Sequence, residues 1–187
     1  MMYGGNPIIF DIETVPDRFD DYARAFPKSK KKPGLHAIIS RVVAIGYEAD
    51  GHRGVIMGEE EEILRTFACI LDDHKTASLV GYNIKNFDIS VLKLRAARYD
   101  IKMPFPDKRS QRIVDLYDML GGKWVGDTSS CSLSELGWYF YGVGKKTDGG
   151  DIATMWAQGD LAGIREHCDE DVETTSRIYN EFLGMLW

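Results

Sequence analysis

The segment Pro7-Ile8-Ile9-Phe10-Asp11-Ile12-Glu13 restricts most strongly what this chain can become. Rich in β-branched and aromatic side chains and closed by Thr14-Val15-Pro16, it has the composition of a short buried strand stopped by proline. Asp11 and Glu13 stand two apart in it, so a pleated strand points both carboxylates to one side and Phe10 and Ile12 to the other. The strand is otherwise apolar and belongs in the middle of a sheet, where paired carboxylates are costly unless a cation neutralises them.

The remaining elements follow from periodicity. Ile38 to Tyr47, a turn at Asp50-Gly51 and His52 to Met57 read as a hairpin. Glu59 to Glu62 open a helix carrying Ile63, Leu64, Phe67, Ile70 and Leu71, and these acids are expected to be solvated complements of the helix dipole. Ser78 to Tyr82 and Ile113 to Tyr117 are strands, with a helix over Phe87–Tyr99 between them. Leu133–Tyr141 and Ile152–Ala157 are short helices, set off by glycine-rich turns at 121–122 and 149–150. From about Asp160 to Leu183, Ile164, Cys168, Val172, Thr175, Ile178, Tyr179 and Phe182 recur at intervals of three and four, the stripe of a long amphipathic helix. The stretch between the first strand and the hairpin reads as a loop. Strands interspersed with helices after a hairpin imply an α/β sheet of about five strands, one antiparallel among largely parallel ones, flanked by helices. At 187 residues, a single domain over 1–187 is expected.

The net charge of −6 excludes attraction of the whole surface to nucleic acid, so any such binding must be local. The runs Lys28-Ser29-Lys30-Lys31-Lys32-Pro33 and Lys108-Arg109-Ser110-Gln111-Arg112 could supply it. Trp124, Trp138, Tyr139, Tyr141 and Trp156 could offer stacking faces for unpaired bases, although aromatics at helical spacing are usually core, and for most of them core is expected. No apolar run is long enough to cross a bilayer and no signal peptide is visible, so a cytoplasmic location is expected, with Cys69, Cys131 and Cys168 as reduced thiols.

Two further acidic positions join the first pair. His167 and Asp171 are four apart on one face of the last helix, and Asp88 falls where a strand gives way to a helix. Folds of this kind gather functional groups in the crevice at the strand ends. Phe10-Asp11-Ile12-Glu13-Thr14, Gly81-Tyr82-Asn83 through Phe87-Asp88, and His167-Cys168-Asp169-Glu170-Asp171-Val172 resemble, in order and spacing, the three motifs of the DEDD superfamily of 3′-to-5′ exonucleases. The chain is most similar to the predicted 3′-to-5′ exonucleases related to the proofreading domain of family B DNA polymerases. Ile113-Val114-Asp115-Leu116 resembles that family's Asp-Leu strand, and Gly144-Lys145 with Asp148 to Ile152 the loop before its closing helices. One position departs: the family places tyrosine four residues before the last aspartate, and here that residue is His167.

The resemblance implies an RNase H-like fold and hydrolysis at the 3′ end of single-stranded nucleic acid, DNA favoured and RNA possible, releasing nucleoside 5′-monophosphates. It implies two divalent cations, Mg²⁺ or Mn²⁺, on Asp11, Glu13, Asp88 and Asp171, an oxygen-only donor set. His167 is expected to orient the attacking water or act as general base. Thr14, Asn83 and Phe87 are expected to meet the substrate. The alternative is a catalytically weak or inactive nucleic-acid-binding module that retains the fold.

Overall fold

Strand β1 (Ile8–Pro16) forms where the β-branched run predicts it and occupies the middle of a five-stranded sheet of order β3-β2-β1-β4-β5. The computed structural model describes residues 6–28, 36–107, 109–121, 131–142 and 152–186. After a short helix α1 (Phe19–Ala25), the hairpin of β2 (Ser40–Ala49) and β3 (His52–Met57) adds two antiparallel pairings on one side of β1. Helix α2 (Glu60–Asp73) leads to β4 (Leu79–Gly81) and helix α3 (Asp88–Arg98) to β5 (Ile113–Asp115), both parallel pairings on the other side. Only β2 runs against the remaining four strands, so the fold is the RNase H-like mixed sheet. A π-helical turn, Tyr117–Gly121, follows β5, and helices α4 (Leu133–Tyr141), α5 (Ile152–Gln158) and α6 (Leu161–Leu186) complete the chain.

The alternation of β1 sorts the core into two layers. Ile8, Phe10 and Ile12 face α2 and α3 and pack with Ile63, Leu64, Phe67 and Leu92. Ile9 faces the other way, toward Val80, Leu136 and Val172 beneath α4 and α6. Asp11 and Glu13 share the side of Ile9 by period, on the face that α6 covers. The register of β1 with β2 shifts between Glu13 and Thr14, where Glu13 opposes Ala44 and Thr14 opposes Val42. Val43 is the extra residue of this bulge, and it leaves Val43 and Ala44 together on the α5 and α6 face.

Three expectations need correction. The loop expected after β1 contains helix α1, which has no buried residue and hence no apolar stripe by which periodicity could reveal it. Of the four glutamates expected to be solvated, Glu60 is buried and bonded. Its Oε1 accepts the Val42 N–H and Arg95 Nε–H at 2.8 Å each, and its Oε2 accepts Arg95 Nη2–H at 2.5 Å and Tyr99 O–H at 2.8 Å. Arg95 Nη1 donates to Asp17 Oδ2 at 2.8 Å, so one guanidinium ties the end of β1 to α2, α3 and β2. Trp138 and Tyr139 are exposed, because α4 turns Leu133, Leu136 and Gly137 to the core instead. Residues 29–33 of the lysine run, Lys108, Gly122, Trp124 and the 144–151 loop with its turn at 149–150 lie outside the described residues.

Removing one partner of a buried ion pair strands the other charge. Glu60→Ala is expected to lower stability by about 3–5 kcal/mol in a urea titration. Glu61→Ala, which loses only an exposed helical pair with Arg65, is expected to cost about 0.3–0.5 kcal/mol. Equal losses would contradict the assignment of Glu60 as the buried partner.

Candidate active site

The strand partners of Asp11 and Glu13 on β2 are Gly46 and Ala44, two of the smallest side chains available. That choice lets α6 descend on the sheet. A methyl group added at Gly46 would come within 2.7 Å of Val172 Cγ2 and 2.9 Å of the Cys168 carbonyl oxygen, both on α6. The inward stripe of α6 carries Ile164, His167, Cys168, Asp171, Val172, Thr175 and Ile178, all buried. Its flank toward β2 and β3 is tied down separately. Arg53 of β3 bonds Asp169 at 3.0 Å and Glu173 at 3.1 Å, and Ser176 donates to Glu48 at 2.9 Å.

Four of the residues expected at the site are thereby brought together. His167 Nε2 lies 3.4 Å from Glu13 Oε1 and 3.7 Å from Asp171 Oδ2, with the imidazole 2% exposed. Donor atoms of Glu13, His167 and Asp171 fall within 4.8 Å of one another, and so do those of Asp11, Glu13 and Cys168. An imidazole nitrogen and a thiol sulfur thus stand beside the carboxylates. Burial first, then the charges of Asp11, Glu13 and Asp171, push the Cys168 thiol well above its ordinary value. A neutral thiol is a poor metal ligand, whereas the carboxylates beside it are hard oxygen donors.

Asp88 is not among these grouped donors; it reaches β1 along the edge that β4 leaves open. Strand β4 ends at Gly81, and past that point β1 has no parallel neighbour; the N–H of Ile12 goes instead to the carboxylate of Asp88, the first residue of α3. Burial above all, with the charges of Asp115 and Asp171 added, pushes Asp88 from near 3.8 up to about 7, against the opposing pull of its backbone N–H partners. Ionisation of Asp88 beside Asp115 and Asp171 is disfavoured in such a setting, and a divalent cation would relieve it.

The three residues expected at the substrate occupy less decisive places. Thr14 is half-buried beside the bulge. Asn83 adopts a left-handed conformation, φ 62°, and its side-chain oxygen accepts from Asn86 at 2.9 Å within its own loop. Phe87 is half-buried and packs against the core between β1 and α3. Sequence reasoning missed Gly46; its signal is the small residue placed across from Asp11, which becomes visible only once strand register is known.

The RNase H-like sheet thus carries acids on its central strand and on the helix that covers it. Residues 33–185 match the family described as predicted 3′-5′ exonucleases related to the exonuclease domain of PolB, and the chain belongs to that family. The matched span contains Asp88, His167 and Asp171 and begins after Asp11 and Glu13. Among solved structures, the chain is similar to the family B DNA polymerase of the hyperthermophilic archaeon Pyrobaculum calidifontis, with a TM-score of 0.67 and 18% identity over 96% of this chain. It spans 24% of that polymerase's length, and the likeness establishes the fold. No curated protein matches the chain.

Gly46→Ala is expected to destabilise the fold by about 1–3 kcal/mol and to weaken Mn²⁺ binding, since α6 must lift from β1; calorimetric titration with Mn²⁺ at a temperature where the variant is folded checks this. A second test concerns pH. Because the folded value of Asp88 lies above its unfolded one, the metal-free fold keeps a proton that the unfolded chain releases. Stability from this group is full below about 3.8 and is lost as pH rises through about 7. Asp88→Asn, neutral throughout, is expected to gain stability relative to wild type between pH 5 and pH 8 in chelator. A pH-independent difference would show that Asp88 ionises normally.

Proposed function

We propose that this chain is a metal-dependent 3′-to-5′ exonuclease that hydrolyses the terminal phosphodiester bond of single-stranded nucleic acid and releases nucleoside 5′-monophosphates. The observation that carries this reading is the convergence of Asp11, Glu13, His167 and Asp171 in one buried cluster, with Asp88 reaching β1 beside it. Membership in a family related to a polymerase exonuclease domain supports DNA as the favoured substrate over RNA. A cytoplasmic setting suits three free cysteines, and among the described residues no helix is long and apolar enough to cross a membrane.

The crowding of carboxylates and the raised Asp88 fit hard divalent cations, and Asp11, Glu13, Asp88 and Asp171 would hold two ions, Mg²⁺ or Mn²⁺. When bound, such ions neutralise the phosphodiester and make water a stronger nucleophile near neutral pH. The chain's own residues supply position. His167 Nε2, between Glu13 and Asp171, can orient a water molecule and accept its proton. Thr14, beside Glu13, and Asn83 and Phe87, in the loop that leads to Asp88, would orient the terminal nucleotide. The apolar residues behind β1 keep bulk water from one side of the cleft.

A binding module without activity is the second reading, favoured by His167 standing where the resembling family has tyrosine. Digestion of a 5′-labelled single-stranded DNA and its RNA counterpart, with Mn²⁺, Mg²⁺ or chelator, separates the two. A metal-dependent ladder shortening from the 3′ end, absent in Asp11→Ala, is the expected result; binding without digestion would leave the module. His167→Phe is expected to lower the rate by ~10²-fold or more, and an unchanged rate and pH profile would remove histidine from the mechanism.

A further inference from the structure

Outside the carboxylate cluster, Asp115 at the end of β5 is buried to 1% exposure. Its partners are three backbone N–H groups. Oδ1 accepts from Asn83 at 2.7 Å and from Tyr117 at 3.1 Å, while Oδ2 accepts from Lys85 at 2.9 Å. Two of these donors belong to the loop 82–87 that joins β4 to α3. That loop has no strand or helix ladder of its own to hold it, and Asn83 within it sits at φ 62°, a conformation that a non-glycine residue keeps only when its surroundings enforce it. A second tie comes from the turn after β5, where Asp118 holds the Lys85 ammonium at 3.2 Å.

The loop ends at Asp88, whose carboxyl is bonded to Ile12 of β1. It is thus fixed at one end to the central strand and at the other to β5. An acid is specifically suited to the second task, because all three partners are donors and a carboxylate offers two acceptor oxygens where an amide offers one. A buried N–H left without its acceptor is costly, so the bonds favour one loop geometry over others.

We propose that Asp115 is a positioning residue for the exonuclease reaction: it clamps loop 82–87 so that Asn83, Phe87 and Asp88 present one fixed edge to the terminal nucleotide. This rests on the exonuclease reading above. Asp115 touches neither substrate nor metal in this role, and acts through the backbone of Asn83 and Lys85.

The test compares wild type, Asp115→Asn, Asp115→Ala, Asn83→Ala and the Asp115→Ala/Asn83→Ala double variant, at a temperature where circular dichroism finds each fully folded. Hydrogen exchange on the amides and kcat/KM on single-stranded DNA with Mn²⁺ are measured on the same samples. Asp115→Asn turns an amide group toward the Lys85 N–H, so faster exchange at Lys85 is expected, whereas Asp115→Ala should release Asn83, Lys85 and Tyr117. Loss of loop geometry is expected to lower kcat/KM by ~10²-fold in Asp115→Ala, with Asp115→Asn intermediate. The double variant should lose less than the product of the single losses, because both changes act through one loop. Asp115→Asn with Lys85 released and kcat/KM within about twofold of wild type would overturn the proposal. So would unchanged exchange in both Asp115 variants, or fully multiplicative losses in the double variant. If wild type digests nothing, the exonuclease reading fails by itself, and the exchange data still decide whether Asp115 holds the loop.

Discussion

Like charges brought together on a largely buried central strand set the terms for the rest of this molecule. Two carboxylates about 4 Å apart repel by about 1 kcal/mol in bulk water and by about 4 kcal/mol at an effective dielectric of 20. The cluster around Asp11 and Glu13 accumulates that repulsion, and the fold must hold it in place with interactions made elsewhere. The two apolar layers on either side of β1, with Phe10 and Phe67 on one side and Ile9 and Val172 on the other, supply most of that hold. The Arg95 guanidinium, shared between Glu60 and Asp17, fixes the far end of the same strand. Stability is thus concentrated around a strand whose middle opposes it, a pattern expected where chemistry is placed in a core.

Much of this was legible in the sequence because it is written in short periods. Residues of β1, the hairpin and α6 alternate at two or at three and four, and those periods follow directly from backbone geometry. Asp11 with Glu13, and His167 with Asp171, were placed on common faces by the same rule, and the structure brings the two pairs together. What stayed hidden depends on partners distant in the chain. Glu60 looks like any acid at a helix start until Arg95, on another helix, turns out to share its burial. Gly46 has no local signature at all; its importance comes from Val172 and Cys168 pressing on it from α6. Helix α1 left no apolar stripe because it buries nothing. Core was expected for most of the five aromatics Trp124, Trp138, Tyr139, Tyr141 and Trp156, yet Trp138 and Tyr139 are exposed, because α4 is short and its other face satisfies the sheet.

The shortness of β4 also shapes the site. A strand of three residues pairs with β1 only at Ile8 and Ile9, so the backbone of β1 beyond that point must bond elsewhere. Asp88 takes one of those bonds with a side chain. A longer β4 would complete the ladder and displace the carboxylate from β1. Incomplete pairing at the centre of a sheet is ordinarily a defect; here it leaves the place where the loop and α3 deliver an acid to the central strand.

Helix α6 adds a constraint of angle. Successive residues on a helix are turned by about 100°, so a slip of a single residue turns His167 and Asp171 out of the cluster and brings Glu166 and Glu170 to their places. The outer ties to Arg53 and Glu48 fix that rotation as well as the position of the helix. A one-residue insertion between the start of α6 and His167 would therefore leave every acid in the chain and present the wrong ones to β1. In this molecule the phase of a helix, more than its composition, determines which carboxylates share the cleft.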